Sequence, residues 1–346
     1  MRTLLGVLVA ALALSLLPAT ASAGGHGLAR EWDRVDVGSD ESLRGLAAVD
    51  RRTAWVSGSN GGVWKTTNSG RTWTDVRPPD TAGLLFRDVE AWDAKRAQVL
   101  AIGEGEASRI YRTVDGGRTW TETFRSAEPT AFYDCMAFFP GGKHGLAMSD
   151  PVDGKFRIIE THDFGRSWQI VPNDGMPAAV AGEFAFAASG TCLVTAGSRD
   201  AWLASGGGAS RIFHSRDRGH TWTVVNAPIP ATPAGGVFSL AFRNPRKGVA
   251  VGGDFEAPDN GVDASGWTRD GMGWHGGGDL SGYRSGVSWV YEARSTLVAV
   301  GPTGTDVTRD GGRTWTALND TGFHAVQCVP RACWASGAAG AVGLLD

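Results

Sequence analysis

Beyond its first 17 residues this chain has no long apolar run, and nowhere does it sustain an apolar period of 3.6 residues. The first absence excludes a later spanning helix, which needs about 20 consecutive apolar residues. The second excludes a helical bundle as the fold class. Charge of one sign is missing too: 33 Lys and Arg stand against 36 Asp and Glu, a net charge of −3 at pH 7, which leaves no basic footprint for nucleic acid. No Gly-x-Ser-x-Gly elbow or phosphate loop occurs, and Gly103-Glu104-Gly105-Glu106-Ala107-Ser108 lacks the third glycine of a dinucleotide fingerprint. His26, His144, His162, His214, His220, His275 and His324 show no metal-ligand spacing. The acidic stretch from Asp254 to Asp263 carries oxygens suited to Ca²⁺ but reads better as an exposed loop. No cofactor and no metal are expected.

The long apolar run that does occur, Leu4 to Leu17, follows Arg2 and precedes Pro18 and the small residues Ala21-Ser22-Ala23. This is the pattern of a secretory leader over residues 1–23, cleaved before Gly24, so the expected location is secreted or periplasmic. One domain is expected over 24–346.

Glycine and tryptophan are plentiful instead, at 50 and 14 residues, and they recur in register. One octapeptide repeats: TTNSGRTW at 66 to 73, TVDGGRTW at 113 to 120, THDFGRSW at 161 to 168, SRDRGHTW at 215 to 222 and TRDGGRTW at 308 to 315, with a shortened TRDGMGW at 268 to 274. Successive copies begin 47, 48, 54, 53 and 40 residues apart, the length of one four-stranded propeller blade. Each copy lies between two short strand-like segments, so it is a hairpin turn. Its third residue, Asn68, Asp115, Asp163, Asp217 or Asp310, offers oxygens to the turn's N–H groups, and glycine takes the left-handed backbone. Met272 stands where glycine is expected, which puts the fifth turn's geometry in question.

Seven apolar segments open the blades: Leu43 to Val49, Phe86 to Trp92, Phe132 to Phe138, Glu183 to Ala188, Val237 to Phe242, Tyr283 to Val290 and Phe323 to Val329. The last blade has residues for three strands only, while Trp32 to Val37 reads as a spare fourth. The sequence therefore predicts an all-β, seven-bladed β-propeller of four-stranded antiparallel blades, with the N-terminal strand pairing near Val342 to Leu345 to close the ring. Cys328 and Cys333 flank a turn in the last blade and are placed for a disulfide. Cys135 and Cys192 belong to neighbouring blades, where a bridge and buried thiols are both open.

Binding residues of such a ring belong at the start of the innermost strands, around the channel mouth. Those positions are read as Arg44, Arg87, Tyr133, Glu183, Phe238, Arg284 and His324, with Asp88, Asp134 and Ser239 beside them. Three arginines at equivalent points suit an anionic partner, because a guanidinium offers a planar fork to a carboxylate.

The octapeptide resembles the Asp-box, or BNR repeat, of the WD/YVTN/BNR-like superfamily. With WVSGSNGGVWKTTNSGRTW at 55 to 73, GLAMSDPVDGKF at 145 to 156 and VAVGPTGTDVTRDGGRTW at 298 to 315, the chain is similar to the plant photosystem II stability/assembly factor-like family. That resemblance implies a non-enzymatic propeller whose arginine-bearing face, here Arg44, Arg87 and Arg284, holds a partner polypeptide or anionic ligand. Some relatives carry an oxidoreductase label, for which no residue here supplies a cofactor site. Sialidases are Asp-box propellers as well, and Arg44, Arg87, Arg284, Tyr133, Glu183 and Asp88 could be cast in their catalytic parts. Against this glycoside hydrolase alternative, their Phe/Tyr-Arg-Ile-Pro motif is met only by Phe156-Arg157-Ile158-Ile159, before the third box and without the proline.

Overall fold

The computed structural model describes Ala29 and residues 31–346; the leader read at residues 1–23 lies outside them. Among the described residues the strands form seven antiparallel sheets, each with a four-stranded core. Blade 1 shows the pattern: Leu43–Ala48 innermost, then Ala54–Gly58, Val63–Thr66 and Thr74–Asp75. The other innermost strands are Leu85–Ala91, Tyr133–Phe138, Leu193–Ala196, Gly235–Asn244, Gly286–Trp289 and Ala325–Val329. Each packs on the next, and the seventh packs back on the first, so the sheets close into a seven-bladed β-propeller.

Closure follows the sequence prediction. Asp33–Asp36 pairs antiparallel with Ala341–Leu345, Val35 opposite Val342, as the outermost strand of blade 7. The core is divided among the blade interfaces, where alternate residues of facing sheets interdigitate. Tryptophans fill the outer radius: Trp73 meets Trp334 of blade 7 edge-on at 6.0 Å, and Trp120 meets Trp55 of blade 1 at 6.5 Å.

The octapeptide turns act as fasteners. Asp115 Oδ1 accepts the Thr119 N–H at 2.9 Å and its Oδ2 accepts the Thr119 hydroxyl at 2.7 Å, and Asp163, Asp217 and Asp310 repeat both bonds. Asn68 keeps the first bond and donates its amide to Thr72 Oγ1. The fourth residue of each full-length turn donates its N–H to the loop joining the two inner strands, as in Ser69 to Arg52 and Phe164 to Lys143. That residue has positive φ even where it is Ser69 (64°), Phe164 (65°) or Arg218 (65°), so glycine is not the sole left-handed residue of the turn. The shortened copy closes one residue earlier, with Asp270 Oδ1 accepting the N–H groups of Met272 and Gly273. All these turns lie on the face opposite the start of the innermost strands.

The structure bridges Cys328 to Cys333, directly opposed across their hairpin, and Cys135 to Cys192, between blades 3 and 4. Blade 4 departs from the sequence reading. Its innermost strand is Leu193–Ala196, not Glu183 to Ala188; Glu183–Phe184 instead forms a short ribbon with Gly206–Gly207 that joins the edge of blade 5. The residues between, 185 to 190, run across the mouth of the channel.

Candidate functional site

The geometry of the mouth comes from a repeated irregularity. In blades 1, 2, 3 and 5 the pairing of the innermost strand skips one residue near its start, and the residues skipped are Arg44, Arg87, Asp134 and Phe238. Such a bulge re-aims its side chain, here toward the axis. The register of blades 6 and 7 follows from one hydrogen bond: Leu43, Val237, Arg284 and Phe323 each donate their N–H to a carbonyl of the preceding blade. Arg284 is thus the counterpart of Leu43, and the residues equivalent to Arg44 are Ser285 and His324.

That shift corrects the sequence assignment. Because side chains alternate along a strand, a slip of one residue sends the side chain to the other face. Arg284 is fully buried within blade 6, where its Nε donates to Asp306 Oδ2 at 2.6 Å and its NH1 donates to the Tyr283 carbonyl at 2.9 Å. Tyr133 is likewise one residue early: it packs edge-on against Phe124 at 5.0 Å between blades 2 and 3. Glu183 is buried in an ion pair with Arg211. The six residues that resemble a sialidase set are not brought together.

Arg44, Arg87 and His324 do converge. Arg44 donates toward the carbonyl of Ala188 at 3.5 Å and Arg87 toward that of Ala187 at 3.4 Å, so both reach across to the crossing segment. That segment is pinned on several sides. Ala185 donates to Asp150 Oδ1 at 2.7 Å, and Phe186 stacks on Phe238 at 3.7 Å. Gly190, at φ 75°, passes so close to Asp88 that a Cβ there would lie 2.4 Å from Oδ1. Only glycine fits at that approach.

Among the described residues neither arginine has a carboxylate partner, and Arg87 Nε is buried without a hydrogen bond. Burial, then the neighbouring Arg44, lowers the Arg87 pKa to about 10; burial lowers Arg44 as well. Burial and the two arginines push His324 down to about 3, so it is neutral at pH 7. Tyr283, buried beneath both guanidiniums, meets Phe238 at 4.6 Å. The mouth is a cationic pocket floored by aromatic rings.

Asp88 and Asp134, read from the sequence as lying beside the mouth positions, do not pair with these arginines. Asp88 accepts the Met136 N–H at 2.7 Å, and burial raises its pKa to about 8. Asp134, raised by burial and then by Asp150, leaves Oδ2 unpartnered. Glu90 follows Asp88 down a cavity of about 650 Å³ beneath the crossing segment, lined also by Ser189, Thr191, Ser288 and Gln327. A folded-state pKa above the unfolded value stabilises fully only below the unfolded value, near 4. The contribution of Asp88 is therefore lost as pH rises from about 4 to about 8, at a slope of at most ~1.4 kcal/mol per pH unit. Asp88→Asn is expected to keep the Met136 bond, flatten that limb and raise the melting temperature at pH 8 more than at pH 4. Parallel thermal scans check this, and an identical pH dependence in both proteins would refute it.

Linear spacing concealed a second cluster. His144, His162 and His220 gather around one carboxylate oxygen of Glu160 on the face opposite the mouth. The available signal was that His220 stands in its octapeptide where four of the other copies have arginine.

Fold and mouth together define a seven-bladed propeller with a basic axial pocket crossed by its own chain. Among solved structures it is similar to YCF48 bound to D1 peptide, with 16% identity over 90% of this chain and 94% of that one, at a TM-score of 0.60. It is similar also to YCF48 from Cyanidioschyzon merolae, with 15% identity over 91% and 97%, at 0.61. Virginiamycin B lyase from Staphylococcus aureus, with 10% identity over 91% and 99%, reaches 0.65. At these identities the likeness is one of fold. No family model matches the chain, and no curated protein matches it significantly. Among the described residues no helix is long and apolar enough to cross a membrane.

Proposed function

We propose that this chain is an exported binding propeller of the Asp-box type that holds an anionic group of a partner polypeptide at Arg44 and Arg87. The observation that carries the reading is the pair of partly buried guanidiniums that have no counter-charge among the described residues. A buried charge is costly unless paired, and a carboxylate arriving at the mouth would supply the missing partner with bidentate hydrogen bonds. Phe186, Phe238 and Tyr283 below give that group an apolar support. The fold shared with YCF48, a protein solved with a peptide bound, agrees with a polypeptide as the partner. Export rests on the leader at residues 1–23.

Each arginine is expected to contribute on the order of 1.5–3 kcal/mol, so each Arg→Ala change should weaken binding roughly ten- to a hundredfold. The test is capture from the exported fraction on immobilised protein at low and high salt. Capture should fall with salt, disappear in Arg44→Ala/Arg87→Ala and persist in Asp115→Asn, whose turn lies on the opposite face. Equal capture by the double variant would overturn the site.

A further inference from the structure

We infer that Glu160, His144, His162 and His220 form a binding site for one divalent transition-metal ion of the zinc type, clasping blade 3 to blade 4. His144 ends the turn that leads into Gly145–Val152, Glu160 lies next to the end of Lys155–Thr161, and His162 is the second residue of the blade 3 octapeptide. His220 comes from the octapeptide of blade 4. Three residues of blade 3 and one of blade 4 thus meet across one blade interface.

The distances from the Glu160 carboxylate oxygen are close to the edges of a coordination shell. Glu160 Oε2 lies 3.2 Å from His144 Nε2, 3.1 Å from His162 Nε2 and 3.5 Å from His220 Nε2. A tetrahedral ion with bonds of about 2.0–2.1 Å requires ligand-to-ligand edges of about 3.3–3.4 Å. The donor atoms of His144, Glu160 and His162 all lie within 4.8 Å of one another. Every histidine presents the same ring nitrogen, Nε2, to that carboxylate oxygen.

The surroundings orient the ligands. Gln169 Nε2 donates to Glu160 Oε1 at 3.1 Å, which turns Oε2 toward the histidines. Phe139 packs against the His144 ring at 5.1 Å, and the His144 and His162 rings lie 4.3 Å apart. Glu160 and His144 are buried, whereas His162 and His220 are about half exposed, so the ion has a path from solvent. Three imidazoles and one carboxylate suit Zn²⁺ and its late first-row neighbours rather than Ca²⁺ or Mg²⁺, which prefer oxygen throughout.

Four protein ligands leave no open position, which makes the site structural rather than catalytic. Its place agrees. Cys135 and Cys192 already join blade 3 to the approach of blade 4, nearer the axis. At this junction the chain leaves the ring to cross the mouth, and the metal would tie the outer part of the same interface.

The test uses the full, tag-free chain, stripped with chelator and reloaded with Zn²⁺ or Co²⁺. Expected are one Zn²⁺ per chain by mass spectrometry of metal content, a melting temperature that rises with free Zn²⁺, and the intense visible bands of four-coordinate Co²⁺. The exposed ligands supply variants that should still fold: His220→Ala and His162→Ala should each weaken Zn²⁺ at least tenfold and abolish those bands. A folded wild-type chain that retains no Zn²⁺, or one whose Zn²⁺ affinity is unchanged in both variants, would overturn the proposal.

Discussion

A chain that begins at Ser39 is expected to lose most of its stability. The strand removed, Asp33–Asp36, is itself exposed and buries little apolar area. Its importance lies in what it covers. Ala341–Leu345 is buried along its whole length and would become an open edge. Trp32, just ahead of the strand, is also lost: it is 6% exposed, lies edge-on to Phe323 at 5.1 Å and donates Nε1 to Thr305 Oγ1 of blade 6 at 3.0 Å. Removing a buried tryptophan alone costs about 3–5 kcal/mol, a large share of the roughly 5–15 kcal/mol that holds a typical protein folded. Urea unfolding should show Trp32→Ala with a clearly lowered midpoint and the truncated chain with little cooperative transition left. A truncated chain with an unchanged midpoint would mean that blade 7 holds with three strands.

Arg284→Ala is expected to be destabilising by about 3–5 kcal/mol, because it strands the carboxylate of Asp306, itself 1% exposed, in the interior. Thr303 and Ser281 each lose one hydrogen bond as well. Replacing both charges by apolar residues of similar volume, as in Arg284→Met/Asp306→Leu, should recover much of the loss, since the desolvation cost disappears with the pair. Arg44→Ala and Arg87→Ala should do the reverse of Arg284→Ala, leaving stability unchanged or raised, because each removes a desolvated cation that no acid offsets. Chemical denaturation of the three single variants separates a structural arginine from two held for binding. Equal destabilisation by all three would place them in one role.

Sequence alone determined the blade count, the position of the turns and the closing strand. Each of these is written locally: the octapeptide carries its own hydrogen bonds between Asp115 and Thr119, and the alternating apolar segments mark every inner strand except that of blade 4. Two mouth residues, Arg44 and Arg87, were legible because their bulges fall at the same place after an apolar first residue. Arg284 and Tyr133 were misplaced because the aromatic residues ahead of them, Tyr283 and Phe132, mimic the apolar first residue one position early, and a slip of one residue sends the side chain to the other face. Only the tertiary structure decided that residues 185 to 190 cross the channel, that Glu183 and Arg284 turn inward to Arg211 and Asp306, and that three histidines share one oxygen of Glu160. These contacts join residues up to 144 positions apart, several of them from different blades, and a ring brings them together by geometry that no local pattern of side chains encodes.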